Sequence, residues 1–95
     1  MSAFVIVDIT VHDPVRYESY KKMAAPTVEA HGGRYVARGG KVEVLEGNWP
    51  TGRFVILEFQ TAAQARAWWD SEDYRPARAL RHATATTKMI LVEGV

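Results

Sequence analysis

One group of side chains that could do acid-base chemistry starts in the segment HGGRYVARGG, residues 31–40. His31 can move a proton near neutral pH, and Arg34 follows it three positions later. Glu58 lies near the end of a later strand that should run antiparallel to the strand of Arg34. We predict that His31, Arg34 and Glu58 line one mouth of a cavity between helix and sheet. The alternative is that His31 caps a helix and Arg34 pairs with Glu58, because buried polar groups need partners in any protein.

A second group is rich in aromatic side chains and is predicted to lie at the opposite end of the sheet. Asp8 stands in an otherwise apolar row of the first strand, where a carboxyl group must be paired or protonated, a setting that suits a general base. Aromatic rings would bury a small flat or carboxylated molecule, and Arg53 would orient its anionic group. The alternative is that the rings fill the core and dimer contacts, while Asp8 marks the solvated rim of the sheet. The predicted group consists of Asp8, His12, Tyr17, Tyr20, Trp49, Arg53, Trp68, Trp69 and Tyr74.

Other motifs for chemistry are missing. The glycine pairs Gly32-Gly33 and Gly39-Gly40 do not have the spacing of a phosphate-binding loop, so we expect the first to end a helix and the second to bend a strand. The chain has 3 histidines without metal-binding spacing, no cysteine and no nucleophile elbow. We therefore predict no metal and no tightly bound cofactor.

Size and composition limit the class of protein. With 95 residues, 47% of them hydrophobic and 24% charged, the chain is predicted to form one globular domain over residues 1–95. The net charge of +1 comes from scattered residues, which argues against nucleic-acid binding. No segment approaches the ~18 apolar residues of a membrane span, and the N-terminal segment alternates like a strand rather than a signal peptide. Together with the absence of cysteine, this favours a cytoplasmic protein.

The hydrophobic periodicity predicts the elements that must position these groups. Asp13-Pro14 should begin a helix that ends at Gly32-Gly33, and Pro26 should kink or split it near Ala25. Thr61 and Gln64 form a capping box that opens a second helix through Trp69, and Ser71 should cap a further helical segment over residues 72–83. The predicted strands span residues 3–11, residues 34–38 with a continuation through Val42 and Val44, residues 53–59 and residues 87–95.

The resulting order, β-α-β-β-α-β, predicts an α+β fold of the ferredoxin-like type. It consists of a four-stranded antiparallel sheet in the order 4-1-3-2, with the helices on one face. Val5, Val7, Ile9 and Val11 would face the helices. The residues predicted on the opposite face are Phe4, Ile6 and Asp8 on the first strand, Phe54, Ile56 and Glu58 on the third, and Met89, Leu91 and Glu93 on the last.

This opposite face is too apolar to be left exposed to water, and the sequence predicts no third layer of helices that could cover it. We therefore predict a homodimer in which two sheets pack face to face. The alternative is a monomer with a partly apolar open sheet.

Several segments together resemble one protein family. The segments HGGRYVARGG, LEGNWPTGRFVILEF, AWWDSEDYRPARALR and LVEG are similar to the domain of unknown function 1330 family, within the dimeric α+β barrel superfamily. The resemblance implies a ferredoxin-like fold and a barrel-like dimer. Superfamily relatives include cofactor-free monooxygenases, lactone isomerases, haem enzymes and ligand-sensing domains, so the fold selects no activity.

The sequence hypothesis is a small-molecule-binding homodimer that acts as a cofactor-independent enzyme. It would transfer a proton on, or isomerise, a small organic acid or aromatic metabolite, with Asp8 as base and His31 as a second proton donor. Arg53 would hold the anion. The remaining predicted ligand-binding residues are Arg34, Trp49, Glu58, Trp69 and Tyr74. The alternative is a non-catalytic ligand-binding or assembly module.

Overall fold

A computed structural model describes residues 2–95 of the chain. The strands are β1 (Ala3–Val11), β2 (Arg34–Arg38), β3 (Arg53–Phe59) and β4 (Ala85–Glu93), and the helices are α1 (Pro14–Ala30), α2 (Ala62–Trp69) and α3 (Arg75–Thr84). The four strands form one antiparallel sheet in the order β2-β3-β1-β4. The predicted ferredoxin-like fold is therefore confirmed, with α3 as an additional full helix.

The core lies between the sheet and the helices. Alternate residues of β1 and β3 are buried on this helix face, as their aliphatic pattern predicts. Trp68 of α2 closes the core: its ring packs against Phe59 and Tyr74, and its indole N–H donates to Thr27 of α1. The buried hydrophobic strand residues are Ala3, Val5, Val7, Ile9, Val55, Leu57, Phe59 and Ala85.

Helix α1 begins as predicted but does not split. The Asp13 carboxylate accepts a hydrogen bond from the Arg16 amide, and Pro14 occupies the first turn. Of the kink or split predicted at Pro26, the split does not occur: the helix runs as one element past Pro26, since its packing outweighs the loss of one backbone hydrogen bond. The helix ends at Ala30 with His31 as its C-cap, and the next residue, Gly32, has a φ of 77°, the left-handed conformation expected of the glycine after a helix.

Side-chain hydrogen bonds define where the chain enters the other two helices. The Thr61 hydroxyl accepts from the Gln64 amide, which confirms the predicted start of α2. Ser71 accepts from the Tyr74 amide and so caps the turn before α3, while the helix itself begins at Arg75. Pro76 lies in the first turn of α3, where a missing N–H costs nothing. No helix among residues 2–95 has the length and apolarity needed to cross a lipid bilayer.

The predicted extension of β2 beyond Gly39 is wrong. The strand ends at Arg38, and residues 40–52 form an irregular, mostly exposed loop. The chain turns at Gly39, with a φ of 69°, and the loop returns across β1, where the Gly52 amide donates to Asp8. Val42 and Val44 therefore have no neighbouring strand within the described chain, and alternation without a pairing partner does not make a strand.

The predicted inner and outer rows of β4 are exchanged in the structure. Leu91 lies opposite Val5 and Met89 opposite Val7, so Met89 and Leu91 face the helices. Cross-strand partners share one face of a sheet, and the register of β4 against β1 could not be read from the sequence of β4 alone. We call the surface without helices the open face. Its apolar residues on β1, β3 and β4 are Phe4, Ile6, Phe54, Ile56, Ile90 and Val92.

Candidate functional site

A cleft lies between α1 and the helix face of the sheet, and we call it the helix-side cleft. Three tyrosine rings line it, together with three basic side chains and aliphatic residues of the core. Its interior measures about 30 Å³, enough for about two water molecules. The aromatic and basic residues of the cleft are Tyr17, Tyr20, Lys21, Tyr35, Arg38 and Arg53.

Helical and strand spacing bring these side chains together. Tyr17, Tyr20 and Lys21 are three or four positions apart on α1 and so share one side of the helix. Arg53 is the first residue of β3 and points to the same side as Val55. A Cβ atom on Gly39 would overlap the Arg53 guanidinium, so this glycine leaves the space that the arginine occupies.

A bulge in β2 adds two further cleft residues. The register between β2 and β3 shifts between Tyr35 and Ala37, so that Tyr35 and Arg38 both face α1. The Arg38 guanidinium lies over the Tyr35 ring, 4.2 Å from its centroid. The sequence interpretation missed both residues because strict alternation along β2 puts them on opposite faces. Lys21 was missed as well, since it stands beside the aromatic row of α1.

The tyrosines of the cleft are protonated at neutral pH. Burial raises the pKa of Tyr17 and Tyr35, and the nearby Arg53 offsets only part of this effect at Tyr17. Burial also raises the pKa of Tyr20, and the adjacent Tyr74 raises it further. These hydroxyl groups therefore act as hydrogen-bond donors and acceptors but not as ready bases.

The outer end of the cleft is basic. Lys21, Arg38 and Arg53 also border a wider depression of about 450 Å³, beside Lys22. The one acidic residue there, Glu18, forms an ion pair with Lys21 at 2.9 Å. The mouth thus carries more positive than negative charge and favours an anionic molecule.

The whole described chain matches one family model. The model is that of the Domain of unknown function (DUF1330), and it matches residues 2–95. The chain belongs to the DUF1330 family. This confirms the resemblance seen in the sequence. No curated protein has a significant sequence match to this DUF1330 chain.

Solved structures share the fold of the DUF1330 chain. A protein of unknown function from Rhodopseudomonas palustris superposes with a TM-score of 0.81 at 18% identity, covering 99% of this chain and 82% of that one. SnoaB from Streptomyces nogalater, described as a cofactor-independent oxygenase, superposes with a TM-score of 0.68 at 15% identity, covering 99% of this chain and 93% of SnoaB. A dimeric ferredoxin-like protein of unknown function from Thermobifida fusca superposes with a TM-score of 0.68 at 20% identity, covering 99% of this chain and 92% of that one. At these identities the likeness establishes the fold alone.

In the DUF1330 chain Asp8 and Arg53 lie on opposite faces of the sheet, so the predicted aromatic pocket is not one site. Asp8 lies on the open face, where its two carboxylate oxygens accept from the Gly52 amide at 2.9 Å and the Trp49 indole at 3.3 Å. Trp49 also packs edge-on against Phe54 of the same face. The prediction failed because it grouped residues by their end of the sheet and ignored their face.

The other members of the predicted aromatic group are also dispersed. Trp69 lies at the end of α2, with the Arg78 guanidinium 4.5 Å from its ring centroid. Tyr74 is 0% exposed and belongs to the core behind the cleft. His12 contacts the Thr86 hydroxyl at 2.6 Å, away from the cleft. Of the predicted group, only Tyr17, Tyr20, Arg53 and Trp68 line the helix-side cleft.

The predicted cluster of His31, Arg34 and Glu58 is divided as well. Arg34 pairs with Glu58 across β2 and β3, on the open face, as the alternative interpretation has it. His31 ends α1 and contacts Asp73 at 3.1 Å. Hydrogen bonds from Ser71 and His31 lower the pKa of the Asp73 carboxyl group. None of these residues lines the helix-side cleft.

Within residues 2–95, no three histidine, cysteine or acidic side chains are grouped so that they could hold a metal ion.

Proposed function

We propose that the protein is a small-molecule-binding homodimer whose ligand site is the helix-side cleft. The observation that carries this proposal is the Nε atom of Arg53, which is buried in the cleft without a hydrogen-bond partner in the described chain. An unpaired buried donor costs about 1–3 kcal/mol, so it is unusual where nothing is bound. Tyrosine walls and a basic mouth suit a small organic acid.

The homodimer follows from the open face. Ile6, Ile56 and Ile90 lie side by side across three strands, and Ile90 is 61% exposed. A second copy would cover this row with its own, because a two-fold contact brings identical surfaces together. The Thermobifida fusca protein, which has the same fold, is described as dimeric.

Catalysis has less support than binding. SnoaB shows that this fold can carry cofactor-independent chemistry. In the present chain, however, both oxygens of Asp8 accept hydrogen bonds on the open face, and His31 is paired with Asp73 near the surface. The proposed roles of Asp8 as base and His31 as proton donor therefore stay predictions, and the binding module is the better-supported function.

Sedimentation tests the dimer. The wild-type protein should sediment as a dimer of the 10.6 kDa chain, and Ile90→Glu should produce a folded monomer because it places a charge in the contact. Val15→Glu is the matched control, since Val15 is exposed on α1, away from the sheet. A wild-type monomer at micromolar concentration would contradict the proposal.

A thermal-shift screen with organic acids, amino acids and phenols tests the binding site. A ligand at 100 times its dissociation constant should stabilise the protein by about 2.7 kcal/mol. Arg53→Met should abolish the shift, whereas Arg34→Met, on the opposite face, should leave it intact. A shift that survives Arg53→Met would place the ligand elsewhere.

A further inference from the structure

A buried arginine behind the cleft has no acidic partner. Arg81 of α3 is 3% exposed, and it takes part in none of the ion pairs formed within residues 2–95. Its Nε–H donates to the Tyr74 hydroxyl oxygen at 3.3 Å. A buried charge is costly without an acidic partner, so we ask what the hydrogen bond from Arg81 to Tyr74 contributes beyond packing.

The contact favours one direction for a short hydrogen-bond chain. The Tyr74 hydroxyl has two polar neighbours, Arg81 and the Tyr20 hydroxyl at 2.9 Å. A guanidinium group can only donate, so the Tyr20 oxygen is the one acceptor that the described residues offer to the Tyr74 proton. The reverse direction would leave the buried Tyr74 O–H without an acceptor, and we therefore infer that Tyr74 donates to Tyr20. Tyr20 then accepts from Tyr74, and its own O–H points away from Tyr74. Tyr20 lines the helix-side cleft, and no other protein acceptor meets its hydroxyl within the described chain.

The cleft therefore holds donors that lack acceptors. The Tyr20 hydroxyl and the buried Arg53 Nε–H both lie along it, and Lys21 and Arg38 stand at its mouth. No aspartate or glutamate is among the residues that line the interior. Carboxylate oxygens only accept, and charge-assisted hydrogen bonds from arginine are the strong ones.

We propose that the ligand is a small carboxylic acid whose carboxylate accepts from Tyr20 and Arg53, and that Arg81 orients Tyr20 toward it through Tyr74. This inference rests on the proposed function and names the ligand class of the same site. The interior of about 30 Å³ admits the carboxylate head, while the rest of the molecule lies in the mouth of about 450 Å³. Arg81 and Tyr74 are positioning residues in this arrangement.

Calorimetry with succinate as the probe tests the ligand class. Its uncharged counterpart, succinamide, has nearly the same shape, and 1,4-diaminobutane carries the opposite charge. Succinate should bind at least about tenfold more tightly than succinamide, which corresponds to about 1.4 kcal/mol, and the diamine should not bind. Tyr20→Phe and Arg53→Met should each weaken succinate binding by about tenfold, and Arg34→Met should not change it.

The positioning role of Arg81 and Tyr74 is tested by a quantity that does not change when the cleft is merely damaged. We use the ratio of succinamide to succinate dissociation constants, because local damage to the cleft weakens both ligands alike. Tyr74→Phe and Arg81→Met should lower this ratio about threefold or more, and Arg81→Lys should restore part of it because it keeps a cationic donor. Circular dichroism checks that the variants fold. If Arg81→Met does not fold, Tyr74→Phe decides, since it removes only one oxygen atom.

The outcomes separate this inference from the proposed function. Equal binding of succinate and succinamide, both lost in Arg53→Met, would keep the cleft as a binding site and overturn the carboxylate. Preferential binding of succinate with a ratio unaffected by Tyr74→Phe would overturn the orienting role of Arg81. Binding of neither probe, together with no hit among the organic acids of the screen, would overturn both proposals.

Discussion

The helix face and the open face of the sheet are both lined by aliphatic and aromatic side chains, but they differ in what covers them. On the helix face most strand residues are buried beneath three helices, and the helix-side cleft lies among them. On the open face Ile90 and Val92 of the same sheet are left exposed.

The two faces also differ in whether their polar groups have partners within the chain. On the open face, Asp8 and the pair of Arg34 and Glu58 have partners within the chain. On the helix face, Arg53 keeps an unpaired donor. Exposed apolar side chains and an unpaired buried donor therefore lie on opposite sides of one sheet. The first feature suits a protein partner and the second suits a ligand.

The largest expected effect on stability concerns two neighbouring residues of β3, one on each face of the sheet. Leu57→Ala should lower the free energy of unfolding by about 2–5 kcal/mol, because Leu57 lies in the core and its removal leaves a cavity. Ile56→Ala removes a side chain of similar size from the open face. Its cost should rise with protein concentration, because in the proposed dimer the contacts of Ile56 are made mainly with the second copy. Urea unfolding at two concentrations makes the comparison; a cost for Ile56→Ala that does not vary with concentration would argue against the dimer contact.

The second glycine pair provides a smaller test of the cleft. Gly39→Ala should destabilise by about 1–2 kcal/mol, because φ at this position is 69° and a Cβ atom there disfavours it. The same Cβ would displace the flexible Arg53 guanidinium and so weaken ligand binding. Gly40→Ala is the matched control: its Cβ would meet no atom within 4 Å, and the change in stability should be below about 0.5 kcal/mol. Equal effects of the two substitutions on unfolding and binding would contradict this account.

Alkaline pH should reveal how closed the helix face is. The pKa of Tyr17, Tyr20 and Tyr35 is raised in the folded protein, mainly by burial, so above pH of about 10 the unfolded chain loses protons that the folded chain keeps. Stability is then fully present below that pH and falls as the pH rises, by up to about 1.4 kcal/mol per pH unit for each tyrosine.

Tyr20→Phe should make this fall less steep, as measured by urea unfolding between pH 10 and 11. The same two proteins compared between pH 7 and 8 provide the control, because no tyrosine ionises there. Identical slopes at alkaline pH would mean that water reaches Tyr20 freely, and the cleft would then be an open surface.

Much of the fold could be predicted, because the deciding signals are local. The capping groups Asp13 and Thr61 and the alternation of β1 each act within a few residues. The errors arose where distant parts of the chain decide. The face of Met89 depends on register against β1, and the end of β2 depends on where the loop returns.

The site was harder to predict than the fold, for the same reason. Asp8 and Arg53 lie at the same end of the sheet, and only strand register shows that they point in opposite directions. Tyr35 and Arg38 enter the cleft through a bulge that carries no clear sequence signal. Arg81 stands on α3, and nothing in its neighbours along the chain indicates contact with a tyrosine of α1 by way of Tyr74.

The smallest expected effect concerns Asp8 and tests the separation of the two faces most directly. Asp8→Ala removes the acceptor of both Gly52 and Trp49 and should cost about 1 kcal/mol, whereas Asp8→Asn keeps one acceptor oxygen and should cost less. Trp49 fluorescence should change in Asp8→Ala, and Trp49→Phe identifies its share of the signal. Ligand affinity should stay the same in both Asp8 variants, because a sheet separates Asp8 from the helix-side cleft. Loss of binding in Asp8→Asn, with stability unchanged, would instead return Asp8 to the ligand site and favour the catalytic hypothesis.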